Sequence, residues 1–269
     1  MLCKSWSFSK YLAFENCPKA LWFEENSKSH ISNLIPLYSL IGTSVHEAIS
    51  FFVDSWSKNI MVSPKEVKKT GIDFIRGIWK NRNQTITEFF NGTEMDESFG
   101  VRFESSVSTL IDNFFLYIWP TFVSDEYVTH ETLFKFNLKD WKILVKPDLV
   151  TKDVIGNIVI TDWKTSTAHD DSVESFQVST YGLWATHHYN MDPERVILQV
   201  INLRTGRRIR DQYSNEKERE TINMIKSQIE KLNNIFQEES PSAKPELNKC
   251  KGCTHLKMCE DGNRVTTEK

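Results

Sequence analysis

The apolar positions of this chain first change their period near Tyr127. Before that point they recur at helical spacing. Thr43 to Trp56 carries Val45, Ile49, Phe52 and Val53 on one helical face and predicts an amphipathic helix. Ser63-Pro64-Lys65-Glu66 opens a second helix, with Ser63 as its cap and Pro64 in its first turn. A third runs from about Glu97 to Trp119 and is ended by Pro120. After Tyr127 the period shortens to two. Thr132 to Leu138 alternates as a half-buried strand does, and Trp141 to Val150 and Asn157 to Asp162 predict two more strands. Turn residues from Lys152 to Asn157 join the last two. Ser172 to Tyr189 returns to helical spacing. Arg195 to Leu203 and Arg207 to Tyr213 predict strands joined at Thr205-Gly206, and Glu216 to Glu238 a long amphipathic helix. The tail from Ser240 holds Pro241 and Pro245, then cysteines.

Three strands, a helix, two strands and a helix predict an α/β fold, a mixed sheet flanked by helices with a helical region placed before it. The expected division is 1–126 for an N-terminal cysteine segment and helical region, 127–239 for the α/β core, and 240–269 for a cysteine-rich tail packing back on the N-terminus.

Composition narrows the class. The 269 residues are 39% hydrophobic and 26% charged, the balance of a soluble packed protein. Lys and Arg total 33 against 36 Asp and Glu, a net charge of −3, which excludes a polybasic DNA-coating protein but not a nucleic-acid enzyme with a local basic surface. Ten Gly and eight Pro exclude collagen-like and Pro/Gly-rich disordered classes. The N-terminus has no signal-peptide-like apolar run, and the cluster Phe114 to Trp119 is too short to cross a bilayer, so a cytoplasmic location without membrane contact is expected.

Two strand ends carry chemistry: Lys146-Pro147-Asp148-Leu149-Val150 and Ile160-Thr161-Asp162-Trp163-Lys164-Thr165. If these strands pair antiparallel, Asp148 and Asp162 meet at one end of the hairpin. Lys164, two residues after Asp162, shares its face. Two carboxylates and an ammonium on one surface suit a hard cation such as Mg²⁺, which polarises a phosphodiester and lowers the pKa of a bound water. Lys164 would orient that water or neutralise charge developing at phosphorus. Glu131, at the start of the preceding strand, adds a carboxylate. The alternative is acids at the solvent end of a hairpin with Lys164 as an ordinary surface pair; the apolar flanks Ile158-Val159-Ile160 and Leu149-Val150 argue against it by placing the acids on buried strands.

Pro147-Asp148 followed by Asp162-Trp163-Lys164 resembles the PD-(D/E)XK nuclease superfamily, and Lys164-Thr165-Ser166 its RecB-like branch. That branch has a Gln-x-x-x-Tyr motif in the next helix, matched by Gln177 and Tyr181, which share a helix face. Gly42-Thr43-Ser44-Val45-His46 resembles the helix motif whose His coordinates metal. The resemblance implies a restriction-endonuclease-like fold, catalysis by Asp148, Asp162 and Lys164, metal binding by His46, and orientation of the site and DNA contact by Gln177 and Tyr181. One departure stands out: the family commonly has Gly three residues before its first Asp, and this chain has Val145.

Of five cysteines, Cys250, Cys253 and Cys259 form C-x₂-C-x₅-C. Three thiolates this close repel unless a cation neutralises them, so a metal is the economical reading. Cys17, before Pro18, is the candidate fourth ligand; Cys3 has no evident partner. Tetrahedral zinc held by four Cys, or by three Cys and His255, and a [4Fe–4S] cluster are both open, and spacing alone favours zinc. An early Cys-Pro with a C-terminal C-x₂-C-x₅-C is similar to the iron–sulfur RecB-like nucleases, which include the CRISPR-associated adaptation exonucleases and the AddB-type nuclease domain. Ser7-Phe8-Ser9-Lys10-Tyr11-Leu12 is similar to their N-terminal signature. That resemblance implies a structural [4Fe–4S] cluster on Cys17, Cys250, Cys253 and Cys259, joining the two chain ends.

The expected function is therefore a Mg²⁺- or Mn²⁺-dependent DNA exonuclease acting on single strands or DNA ends, in DNA processing, recombination or CRISPR adaptation. The alternatives are a catalytically silent, metal-stapled nucleic-acid-binding subunit and a restriction-type endonuclease. Arg204, Arg207, Arg208 and Arg210 around a hairpin turn, with Lys244, Lys249, Lys251, Lys257 and Arg264 in the tail, are candidates for phosphate contact. No G-x-x-x-x-G-K-[ST] phosphate loop is present, so ATP-driven unwinding would need a helicase or another DNA-processing subunit as partner.

Overall fold

The structure, a computed structural model, describes residues 5–26, 37–89, 97–166, 171–237 and 241–267. Cys3 and Glu238 lie outside the described residues. The chain divides into two compact units, each assembled from separated stretches of sequence: residues 1–36, 135–145 and 220–269 in one, and 37–134 and 146–219 in the other.

The first unit holds β1 (Ser5–Ser7), α1 (Phe8–Asn16) and α2 (Pro18–Asn26) from the N-terminal stretch. Ser7 caps α1 by accepting from the Lys10 backbone N–H. From the middle of the chain come β3 (Phe134–Leu138) and β4 (Trp141–Val145), and the three strands form a sheet in the order β1-β4-β3. Trp6, fully buried, stands opposite Ile143 in the parallel β1–β4 pair, and its indole N–H donates to Gln228 Oε1 at 3.0 Å. A buried indole N–H usually has an acceptor, so this bond lets the Trp6 ring enter the core. Gln228 lies on α7 (Asn215–Gln237), whose buried stripe Ile225, Ile229, Leu232 and Phe236 follows the predicted spacing. Two short helices, α8 (Leu247–Lys251) and α9 (Glu260–Thr267), complete this unit.

The second unit carries the candidate chemistry. Its helices are α3 (Leu37–Ser57), α4 (Pro64–Phe89) and α5 (Glu97–Asn113). Ser63 and Glu66 cap α4 reciprocally, the Ser63 backbone N–H donating to Glu66 Oε2 and the Glu66 N–H to Ser63 Oγ. The third predicted helix ends its α-helical course at Asn113; Phe114–Ile118 continues as a π-helical turn and Trp119–Thr121 as a 3₁₀ turn around Pro120. Five strands follow the order β2-β5-β6-β7-β8: β2 (Glu126–His130), β5 (Leu149–Lys152), β6 (Ile158–Lys164), β7 (Val196–Asn202) and β8 (Arg208–Gln212). The β6–β7 pair is parallel and the others antiparallel. A parallel pair needs a crossover, and α6 (Asp171–Tyr189) supplies it. Gly182 of α6 has no Cβ because the Tyr213 ring lies where one would be, 2.9 Å from its ideal position. The core between α3, α4, α5 and this sheet is built on Val45, Ile49, Val53, Val107, Ile111, Phe114, Leu149, Trp163 and Ile201.

The fold is thus mixed α/β, with two sheets flanked by helices in the restriction-endonuclease-like manner. One sequence expectation is corrected. Trp141 to Val150 is not one strand: β4 stops at Val145 and β5 starts at Leu149, in different sheets. Pro147 is the cause, since it has no N–H for a ladder and restricts the residue before it. Among the described residues, no helix is long and apolar enough to cross a membrane.

Candidate active site

Every candidate residue of the acidic constellation falls in the second unit. The β5–β6 register pairs Leu149 with Thr161, which sets Asp148 and Asp162 beside each other at one end of the hairpin. Asp148 is fixed by backbone: its Oδ2 accepts from the Trp163 N–H at 2.7 Å. The short irregular link through Pro147 also aims Glu131, whose N–H donates to the Pro147 carbonyl at 3.0 Å.

Glu131 holds a left-handed backbone, φ 45°, just past the end of β2. A glutamate there costs about 1–2 kcal/mol, and such strain persists where surrounding structure demands the side chain's direction. Its carboxylate lies 3.5 Å from His46 Nδ1 and forms an ion pair with Lys146. On its other side, His46 Nδ1 is 3.3 Å from Asp148 Oδ1. Donor atoms of His46, Glu131 and Asp148 all lie within 4.8 Å of one another. Burial opposes charge on His46, but the two carboxylates outweigh it and raise its pKa well above the ordinary imidazole value. Burial likewise raises Glu131, and His46 and Lys146 more than reverse that, leaving it lowered.

Asp162 occupies a harsher place. It is 2% exposed on a strand buried on both faces, and burial pushes its pKa up to about 6 despite the Lys164 charge. Lys164 Nζ lies 2.7 Å from Asp162 Oδ2, yet that oxygen has no aligned hydrogen-bond donor. The ammonium also donates to Gln177 Oε1 at 2.6 Å, and Gln177 Nε2 donates to the Tyr181 hydroxyl at 2.8 Å. Gln177 and Tyr181, one turn apart on α6, therefore hold Lys164 in place. Burial, and then the charges of Asp162 and Asp148, raise the Tyr181 pKa, so its hydroxyl stays neutral.

The structure therefore brings together all seven residues of the predicted site, in two linked groups: His46, Glu131 and Asp148 in one, and Asp162, Lys164, Gln177 and Tyr181 in the other. Two further contributors were not singled out in sequence. Lys146, quoted only as the neighbour of Pro147, neutralises Glu131. Gly42, one turn before His46, lies so close to Thr165 that a Cβ would be 2.9 Å from Thr165 Oγ1. The Gly42–His46 spacing thus has a mechanical reading: the glycine lets α3 approach the end of β6, and the histidine uses that approach to reach Asp148. Val145, where the family commonly has Gly, is the buried last residue of β4.

The profile of the PD-(D/E)XK nuclease superfamily matches residues 5–260 of this sequence. The chain belongs to that superfamily. The solved structure of a candidate exonuclease from Eubacterium rectale shares the fold of this PD-(D/E)XK chain, with a TM-score of 0.51 over 99% of this chain and 90% of that one at 12% identity. The solved structure of SSO0001 aligns with a TM-score of 0.33 and 13% identity over 83% of this chain and 95% of that one. No curated protein matches the sequence.

PD-(D/E)XK nucleases use divalent metals, and the donor set fits one. Carboxylate oxygens and an imidazole nitrogen suit Mg²⁺ or Mn²⁺. The left-handed Glu131, whose carboxylate faces His46, and the buried Asp162 Oδ2, which has only the Lys164 ammonium beside it, are compatible with such an ion.

The cysteine constellation belongs to the first unit. Cys17, Cys250, Cys253 and Cys259 are free and half-buried, and burial raises the Cys253 pKa. Gly262 lies nearby: its N–H points to Cys259 Sγ at 3.4 Å, and a Cβ there would be 3.6 Å from Cys259 Sγ and 3.7 Å from Cys250 Sγ. His255 is buried, packs against Phe23 and has an Nδ1 without a hydrogen-bond partner.

Proposed function

We propose that this PD-(D/E)XK chain is a DNA exonuclease using Mg²⁺ or Mn²⁺, acting on single strands or DNA ends. The convergence of His46, Glu131 and Asp148 beside the Asp162–Lys164 pair carries this reading. His46, Glu131, Asp148 and Asp162 are the residues that would hold the ion. Bound there, a divalent cation polarises a phosphodiester and lowers the pKa of a water. Lys164 places an ammonium where negative charge develops on the phosphoryl oxygens, a preorganised donor that needs no rearrangement during reaction. Gln177 and Tyr181 keep it there. Water attacks phosphorus directly, with no covalent enzyme intermediate. A silent binding subunit is disfavoured, since burying Asp162 at such cost has no use without the chemistry.

For the cysteines the reading is a structural [4Fe–4S] cluster on Cys17, Cys250, Cys253 and Cys259. The resemblance of the early Cys-Pro and the C-terminal C-x₂-C-x₅-C to the iron–sulfur RecB-like nucleases supports it over zinc.

End-labelled single- and double-stranded DNA, digested with and without Mn²⁺, tests the activity. Wild-type protein should shorten the strands from their ends only with metal, and Asp162→Ala should not. Undiminished degradation by Asp162→Ala removes the site assignment, and discrete fragments from circular plasmid replace the exonuclease by an endonuclease. Metal analysis of anaerobically purified protein tests the cluster; stoichiometric zinc without iron defeats it and spares the nuclease.

A further inference from the structure

We infer that Arg204 forms a phosphate-binding subsite at the catalytic edge of the sheet, taking a backbone phosphate next to the one cleaved; this rests on the nucleic-acid substrate proposed above. Arg204, Arg208 and Arg210 around the β7–β8 turn look equivalent in sequence, and the structure separates them. Arg208 donates to Thr121 Oγ1 and lies over the Phe122 ring at 5.7 Å, an internal cation–π contact. Burial, and then its neighbour Arg210, lower its pKa. Arg210 faces Asp153 at 3.7 Å. Both are committed to the protein.

Arg204 is placed differently. In the parallel β6–β7 pair Lys164 stands opposite Asn202, so the end of β6 that carries Asp162 and Lys164 shares an edge with the β7–β8 turn. Hydrogen bonds lock that turn to the residues after Lys164. The Leu203 N–H donates to the Lys164 carbonyl at 2.8 Å, Asn202 Nδ2 to the Ser166 carbonyl at 3.0 Å, and Arg204 Nε to the Thr165 carbonyl at 2.9 Å. Asn202 Oδ1 accepts from the backbone N–H groups of Arg204 and Thr205. The turn is therefore rigid, and the exposed Arg204 is anchored through one of its five donors beside the residue following Lys164. A guanidinium held in this way pays little ordering entropy to take a phosphate. With a net charge of −3, the chain has no general attraction for DNA, so substrate affinity needs such placed cations.

The test is binding of fluorescein-labelled oligothymidylate in EDTA, followed by anisotropy over a series of KCl concentrations. The comparison is wild type, Arg204→Gln, Arg204→Lys and Arg195→Gln. Arg195 makes the control because it precedes β7 at the opposite end of the sheet, bound to the Gly156 carbonyl at 2.9 Å. One lost phosphate contact on a single strand reduces the slope of log affinity against log salt by about 0.7. Arg204→Gln should show that reduction, while Arg204→Lys and Arg195→Gln keep the wild-type slope. An unchanged slope in Arg204→Gln overturns the subsite. So does an equal loss in Arg195→Gln, which would mean diffuse attraction, or an equal loss in Arg204→Lys, which would mean a purely structural bond. Wild-type protein that binds no oligonucleotide at any salt defeats the nucleic-acid reading itself, and the subsite with it.

Discussion

The approach of α3 to the end of β6 makes a prediction whose sign reverses with background. Replacing Gly by Ala inside a helix ordinarily stabilises by about 0.5–1 kcal/mol. At Gly42 the new methyl would sit 2.9 Å from Thr165 Oγ1, against ordinary contacts of 3.4–4 Å, so one element must yield by at least half an ångström. Threonine is stiff at χ1 and answers poorly. Overpacking of this kind costs about 1–3 kcal/mol, which outweighs the propensity gain. Gly42→Ala alone should therefore destabilise by about 1 kcal/mol. In a Thr165→Ala background the obstructing hydroxyl is gone, and the same change should stabilise by about 0.5–1 kcal/mol. The two sites should couple by about 1.5–2 kcal/mol in a double-mutant cycle measured by urea unfolding in EDTA. Cleavage should follow the same pattern, because His46 rides one turn beyond Gly42, and a misplacement approaching 1 Å at a reacting group costs up to about a hundredfold in rate. Additive effects, or a Gly42→Ala protein more stable than wild type with Thr165 intact, would refute the close approach as the reason for the glycine.

Other consequences are equally direct. Lys164→Met should lower turnover by about 10²–10³-fold, the scale of losing a preorganised donor, and should also lower the unfolding midpoint in EDTA because Asp162 stays buried without its counter-charge. A midpoint as high as wild type would argue against that pairing. Glu131→Gly should be more stable than Glu131→Ala, reversing the usual order, since both lose the carboxylate and only Ala bears the left-handed strain; calorimetry of the two variants decides it. Gly182→Ala should destabilise by about 1–3 kcal/mol because its Cβ meets the Tyr213 ring at 2.9–3.0 Å, and denaturant unfolding with an unchanged midpoint would contradict it.

Much of the secondary structure was legible because local periodicity creates it. The α3 and α7 faces, the start of α4 at its Ser63 cap and the β7–β8 hairpin depend on residues a few positions apart, and they stand as the pattern predicts. The pairing of Asp148 with Asp162 was legible for the same reason, since an antiparallel hairpin brings near neighbours together. Where a strand lies in space is another matter. Trp141 to Val150 reads as one strand, and only the two sheets show that Pro147 divides it. The short β1 strand and its partner β4 lie more than a hundred residues apart, beyond any local signal.

What the sequence alone determined was the donor inventory: two aspartates and a lysine on strand ends, a histidine on a helix, a Gln–Tyr pair one turn apart, and cysteines at both ends of the chain. Residue type and short spacing carry that information because the chemistry of a side chain travels with it. The tertiary structure alone decided how the inventory divides. It set Glu131 with His46 and Asp148 through a left-handed turn, gave Lys164 to Asp162 and Gln177, and separated Arg204 from Arg208 and Arg210, which are engaged by Phe122 and Asp153. Those assignments depend on distances between elements remote in sequence, and such distances follow from packing the core.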